Sequence, residues 1–222
     1  MWRACISLLL VVCVAFVLQA CGSRQRFVAK PEPWRASEER ACLASGLVRE
    51  TSHVLGRQAL GGPSACGALR PFTMSAAMGG RVAMRPAATL RCPMIPAIEV
   101  WVRDVIQPAA LRHLRQPVVE LKVASSYACR PINHAFGARL SEHGRANALD
   151  VSAFILADGR RITVKGGWRG AADEQAFLRA VHGGACRVFT TVLGPHADRF
   201  HQDHFHLDLA RHGRNGDVRI CR

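Results

Sequence analysis

The apolar positions of this chain fall into segments of clearly different period. Between Ile95 and Leu114, Ile98, Trp101, Val102, Val105 and Ile106 recur at helical spacing, which predicts a helix with one face in a core. Pro108 has no backbone N–H to continue that ladder, so it is expected to kink or restart the helix. Pro117 to Ser126 alternates and is rich in β-formers, which predicts a strand. Ala148 to Leu156 is a second strand, Asp158-Gly159 a hairpin turn, and Arg161 to Lys165 the return strand. Asp173-Glu174 opens a helix with Phe177, Leu178 and Val181 on its core face, and Gly183-Gly184 is expected to end it. Val188 to Leu193 and His204 to Leu209 are further strands. Toward the N-terminus the pattern weakens. Ser37 followed by Glu38 and Glu39 predicts a helix running to about Leu43 and stopping near Gly46. From Val48 to Arg91 the signals are mixed, with turns at Gly61-Gly62-Pro63 and Gly79-Gly80 and an extended stretch at Ala83 to Pro86. Strands and helices do not alternate regularly, which predicts an α+β fold: a single domain with a small, mostly antiparallel sheet flanked by helices.

Ahead of this pattern lies a segment of another kind. Arg3 precedes an almost wholly apolar run from Ile6 to Leu18, which ends at Leu18-Gln19-Ala20-Cys21. A positive start, a short apolar core and small residues at the boundary describe an export signal over residues 1–20. The run is too short to span a bilayer comfortably. Cys21 at the boundary resembles the acylated Cys of bacterial lipoproteins, and Gly22 after it implies the outer membrane of a Gram-negative cell, facing the periplasm. Residues 21–36, with Pro, Gly and charge but no period, read as a tether between lipid and domain. The domain is then 37–222, with a helical N-terminal part (37–115) followed by a part (116–222) that carries the candidate chemistry.

Composition supports export. Besides Cys5, Cys13 and Cys21, six cysteines remain (Cys42, Cys66, Cys92, Cys129, Cys186 and Cys221), with no Cys-x-x-Cys pair among them. An even, widely spaced set predicts three disulfides in an oxidising compartment, with the pairing left open. Lys and Arg number 30 against 16 Asp and Glu, giving a net charge of +14. In an exported protein such charge favours an anionic polymer of the cell wall or lipid headgroups over nucleic acid, and no basic run interleaved with aromatics forms a platform for a nucleic-acid strand.

The candidate chemistry lies in two places. Ser141-Glu142-His143-Gly144-Arg145-Ala146-Asn147-Ala148-Leu149-Asp150 brings a His and an Asp close together among small residues. His196, His201, His204 and His206 cluster near the C-terminus, and strand alternation puts His204 and His206 on one face. Two imidazoles and a carboxylate from separate segments are the usual ligands of a catalytic zinc. No His-Glu-x-x-His, Gly-x-Ser-x-Gly or phosphate-binding glycine loop is present.

Tyr127-x-Cys129-Arg130, Ser141-Glu142-His143-Gly144, Ala148-Leu149-Asp150, Leu193-Gly194-Pro195 and His201-x-Asp203-His204-Phe205-His206-x-Asp208 resemble the bacterial extensin-like C-terminal domain family, over roughly residues 40 to 222. That family is similar to the hedgehog/D-Ala-D-Ala peptidase superfamily, whose zinc enzymes cleave peptide bonds to D-amino acids in peptidoglycan or its precursors. The resemblance implies a hedgehog/DD-peptidase-like fold, Zn2+ held by His143, Asp150 and His206, and peptidoglycan as partner. It makes His204 or Asp203 the general base, Arg130 a group that steadies the substrate carbonyl, and Tyr127 packing or a substrate wall. Asp208 becomes a partner orienting an imidazole, and Ser141 and Glu142 shape the loop. Asp203 stands where the dipeptidase branch has Glu, which shortens the reach of any carboxylate base. The alternative function is therefore a catalytically weak or inactive zinc-binding lipoprotein that binds cell wall.

Overall fold

A computed structural model describes residues 27–30, 32–62 and 65–222. The signal segment and Cys21 lie outside the described residues. Strand β7 (Ala148–Leu156) is buried along nearly its whole length. It pairs antiparallel with β6 (Val118–Ser125) on one side. On the other it pairs first with β10 (Phe205–Asp208) and then with the short hairpin strand β8 (Arg161–Thr163). Nine strands form the sheet, in the order β1-β4-β5-β6-β7-β10-β9-β11 with β8 beside β7. Here β1 is Val54–Gly56, β4 Phe72–Ala77, β5 Val82–Leu90, β9 Thr191–Leu193 and β11 Ile220–Cys221, while β2 (Leu60–Gly61) and β3 (Gly67–Ala68) make a separate pair. The β5–β6 and β11–β9 pairings are parallel and the rest antiparallel.

The α+β class is as expected, but the sheet is mixed and larger than predicted. The expected helical N-terminal part supplies three of its strands, β1, β4 and β5. That stretch lacks the β-branched alternation of an obvious strand; Thr73-Met74-Ser75-Ala76-Ala77 is held by ladders on both sides rather than by local propensity. Strand β7 departs from simple alternation too. Lys122 faces Ala153 and Val123 faces Val151, so Ser152 is an extra residue on β7. The bulge reverses the side-chain parity, and Leu149, Val151, Phe154 and Leu156 all reach the core while Asp150 stays on the cleft side.

Helices α2 (Met94–Trp101) and α3 (Gln107–Leu114) are joined by a π turn (Val102–Ile106), in which the Gln107 N–H reaches back to the Val102 carbonyl. The wider turn falls just before Pro108, so the helix continues past a residue that cannot donate. Trp101 is fully buried, edge-on to Phe154 and Phe189, and its indole N–H donates to the Val181 carbonyl at 3.2 Å. Val181 lies on α5 (Ala172–Ala185), which begins with Asp173 and Glu174 in its first turn as expected. Other boundaries differ. The return strand stops at Thr163, whose hydroxyl caps the short helix α4 (Val164–Gly167) containing Lys165. Gly183 and Gly184 sit inside α5 rather than ending it.

The two glycines do different work. A Cβ on Gly184 would overlap the Val105 side chain of the π turn, whereas one on Gly183 would meet nothing. Gly183→Ala is thus expected to stabilise the protein by up to ~1 kcal/mol through helix propensity. Gly184→Leu is expected to cost about 1–3 kcal/mol through overpacking. Opposite shifts of the thermal midpoint check this pair.

The N-terminal end differs most. Helix α1 (Pro33–Ala44) starts at a proline in its first turn, four residues before Ser37. The segment expected to be a tether is part of the fold from Phe27 onward: Phe27 is buried against Cys66 and Leu140, and Val28 bridges to Arg139. The disulfides join Cys42 to Cys92, Cys66 to Cys129 and Cys186 to Cys221, using all six predicted cysteines. Among the described residues no helix is long and apolar enough to cross a membrane.

Candidate metal centre

Strand register brings two of the site residues together. His206 on β10 lies opposite Asp150 on β7, and Asp150 is flanked on its other side by Ser125 of β6. Directly opposed side chains in an antiparallel pair are close enough to share a ligand. His143 arrives from a 3-10 turn (Glu142–Arg145) capped by the Ser141 hydroxyl, which accepts the His143 N–H. That turn ends at Ala146 in a left-handed conformation (φ 51°), and Arg91 donates its N–H to the Ala146 carbonyl.

The ligand atoms of His143, Asp150 and His206 all lie within 4.8 Å of one another. His143 Nε2 is 3.1 Å from Asp150 Oδ2, His206 Nδ1 is 2.9 Å from Asp150 Oδ1, and the two nitrogens are 3.2 Å apart. On each ring the other nitrogen is already engaged. His143 Nδ1 donates to the Ser126 carbonyl, and His206 Nε2 donates to Asp208 Oδ2 at 2.9 Å. In those tautomers two lone pairs face each other beside a carboxylate, an arrangement completed by a proton or a cation. Engagement of the far N–H by a carbonyl or carboxylate is what metal-bound imidazoles require. The donor set therefore fits a divalent metal ion.

Electrostatics follows from the same contacts. Burial would push the Asp150 pKa up, but hydrogen bonds from His143 and His206 hold it well below the ordinary carboxylate range. Burial would push His206 down, but its bonds to Asp150 and Asp208 outweigh this and push its pKa up to about 10. The two carboxylates thus favour a protonated His206, and a cation at Nδ1 would take that proton's place. Asp208 is also held low: His206, the Thr191 hydroxyl and the Ala210 N–H overcome its burial. Thr191 is in turn 2.7 Å from His212 Nε2. His212 looks ordinary in the sequence, yet it stands at the end of this chain from the metal centre. Asp208→Asn, which keeps the shape and removes the charge, is expected to weaken Zn2+ binding by roughly 10–100-fold, as read by competition with a chromogenic chelator.

The remaining candidates divide. His204 precedes β10 instead of lying on it, yet its Nε2 still comes within 3.8 Å of Asp150 Oδ2 and it lines the cleft. Its Nδ1 donates to Asp203 Oδ1 at 2.8 Å. Asp203 is exposed and outside the cleft lining, so its carboxylate orients His204 and does not face the site as a base would. Arg130 lines the cleft, half-buried; burial pulls its pKa down and the Asp150 charge opposes this. Tyr127 does not line the cleft; its hydroxyl packs beside Gly62, which favours packing over a substrate wall. The sequence offered His201 no role. It is buried with Nδ1 2.7 Å from Asp198 Oδ1, and its ring lies 5.3 Å from that of His204 and 5.8 Å from that of His206. The i, i+3 spacing of Asp198 and His201 inside a His-rich loop was the signal for it.

The cleft over these groups is about 470 Å³ in volume. Val28, Lys30, Arg130, Ile132 and Arg139 form one side, from three backbone segments bridged at Val28–Arg139 and Pro131–Leu140. Lys30, Arg130 and Arg139 have no carboxylate partner among the described residues, so this wall offers free positive charge. A second grouping of possible ligands, His182, Cys186 and Cys221, has its two sulfurs joined in a disulfide and therefore offers no thiolates.

A sequence model of the family described as extensin-like protein C-terminus matches residues 40–222 of the chain. No curated protein and no solved structure matches it.

Proposed function

We propose that this chain, which belongs to the extensin-like protein C-terminus family, is a zinc-dependent peptidase of the periplasm acting on peptidoglycan stem peptides or cross-links. The observation that carries this reading is the convergence of His143, Asp150 and His206, each imidazole having its far nitrogen already engaged. His143 Nε2, the Asp150 carboxylate and His206 Nδ1 would hold the ion. Zinc bound there would supply a Lewis acid and lower the pKa of water enough to make it a nucleophile at neutral pH.

The other residues take roles set by where they stand. His204 Nε2 is the group that takes a proton and returns it to the leaving amine, with Asp203 fixing its tautomer. His201, backed by Asp198, adds a second imidazole beside it. Arg130 lies in the same cleft and suits the negative charge that develops on the substrate oxygen. Lys30 and Arg139 draw an anionic polymer toward that side. The sequence motifs around His143, Asp150 and His206 resemble those of the hedgehog/D-Ala-D-Ala peptidase superfamily, which agrees with this reading. Three disulfides fit an oxidising compartment. Acylation at Cys21 would hold the domain at the outer membrane, facing the periplasm.

The second reading is a wall-binding lipoprotein that keeps the zinc but turns over weakly or not at all. The position of Asp203 favours it, since the carboxylate that stands where the dipeptidase branch has Glu is exposed and outside the cleft lining. Zinc-loaded protein incubated with purified sacculi separates the two. New peptide ends detected by mass support the peptidase. Co-sedimentation with sacculi that yields no new ends supports the binder.

A further inference from the structure

We propose that Arg35, on helix α1 ahead of the family-matched region, is a positioning residue of the metal centre, acting through Glu142 on the loop that carries His143. The inference rests on the metal reading above and goes beyond it by making the N-terminal segment part of the site.

Glu142 is the residue immediately before a ligand, and its contacts hold the loop closed. Its carbonyl accepts the N–H of Ala146 and of Asn147, and its carboxylate accepts the Asn147 side-chain amide. It therefore links the beginning of the loop at His143 to the segment entering β7 three residues before Asp150. What fixes Glu142 is Arg35. The guanidinium reaches it with two parallel bonds, Nη1 to Oε2 at 2.8 Å and Nη2 to Oε1 at 2.9 Å, and also bonds Glu32 at 2.7 Å. The Arg35 side chain is only 9% exposed, so water does not screen the pair as it would at the surface. A planar fork meeting a carboxylate edge-on fixes direction as well as distance, which a point charge does not.

Further contacts tie α1 and the residues just before it to the same loop, directly or by way of Arg91. Arg91, wholly buried, donates its side chain to the Arg35 carbonyl and its backbone N–H to the Ala146 carbonyl. Arg145 on the loop pairs with Glu32 and donates to the Lys30 carbonyl. Cys92, next to Arg91, is bonded to Cys42 on α1. The loop that carries His143 is thus clamped from outside the sheet by a helix whose first turn, Pro33 to Ala36, reads as part of a spacer in the sequence. Arg35 touches no ligand atom. Its effect on the ion is through the placement of His143.

The test is Co2+ binding to the purified protein, followed by visible absorption and by competition with a chelator, alongside near-ultraviolet circular dichroism. Arg35→Met and Glu142→Gln are expected to weaken Co2+ binding by roughly 10–100-fold and to alter its absorption band, with the dichroism of the fold retained. The double variant is expected to be little worse than either single one, since both remove one interaction. Arg35→Lys, which keeps the charge and loses the fork, is expected to lie between parent and Arg35→Met. Should Arg35→Met fail to fold, Arg35→Lys decides alone, with an altered band and weaker binding required. Folded variants that bind Co2+ as the parent does, or two single effects that simply add, overturn the proposal. A parent that binds no Co2+ overturns the metal reading first, and this proposal with it.

Discussion

Replacing His206 with alanine is expected to abolish release of peptide fragments from purified sacculi, while the disulfide-bonded fold persists. The loss should exceed the roughly 10–100-fold that an outer hydrogen-bond partner such as Asp208 accounts for, because one of three donors disappears entirely. Removing the imidazole also takes one partner from each of two buried carboxylates, leaving Asp150 to His143 and Asp208 to Thr191 and the Ala210 N–H. Asp150 and Asp208 both hydrogen-bond this ring and are both held low by it. Breaking a buried pair on one side commonly costs about 3–5 kcal/mol, so the metal-free variant should melt earlier than the parent. The two effects separate by measurement: activity is read from products by mass, and folding from the melting transition. His204→Ala should behave differently. On the proposed roles it removes the proton carrier but no ligand, so Zn2+ should remain bound at near-parental affinity while turnover falls by about 10²–10⁴-fold.

The second large effect is expected at the Cys42–Cys92 disulfide. Its partners are 50 residues apart, and closing a loop of that size restrains the unfolded chain by roughly 4 kcal/mol in the chain-entropy account. With a urea m-value of about 2 kcal/mol/M, Cys42→Ser/Cys92→Ser should lower the urea midpoint by about 2 M. The Cys186–Cys221 bond, spanning 35 residues, closes a loop of nearly the same entropic weight. It joins the end of α5 to β11 at the sheet's edge, whereas Cys42–Cys92 joins α1 to the residue beside Arg91. Loss of the first should therefore weaken metal binding as well as stability, and loss of the second should affect stability alone.

How far the sequence carried these conclusions varied with the range of the interaction involved. Strands β6 and β7 and the apolar stripe of α2 and the π turn were legible because each rests on a local period, whereas the choice of His143, Asp150 and His206 came from the family resemblance. The bulge at Ser152 was not, since it depends on which β6 residue meets which β7 residue. The same applies to Gly184, a close approach to Val105 that appears in sequence only as a helix stop. Strands β1 and β4 were missed, and β5 was read only as the extended stretch Ala83 to Pro86, because Ala, Met and Ser there take their conformation from neighbouring strands and not from propensity. The hardest feature was the N-terminal segment. Its composition suggests a spacer, and only a partner 107 residues away, Glu142, shows that Arg35 is held in place.

Everything said of the site depends on one cation lying between His143, Asp150 and His206. Anomalous diffraction at the zinc absorption edge, from crystals of the protein equilibrated with Zn2+, tests this most directly. The expected result is a single strong peak within coordination distance of His143 Nε2, His206 Nδ1 and the Asp150 carboxylate. No peak there, or zinc bound only at surface histidines while Asp150 stays hydrogen-bonded to both imidazoles, would contradict the account.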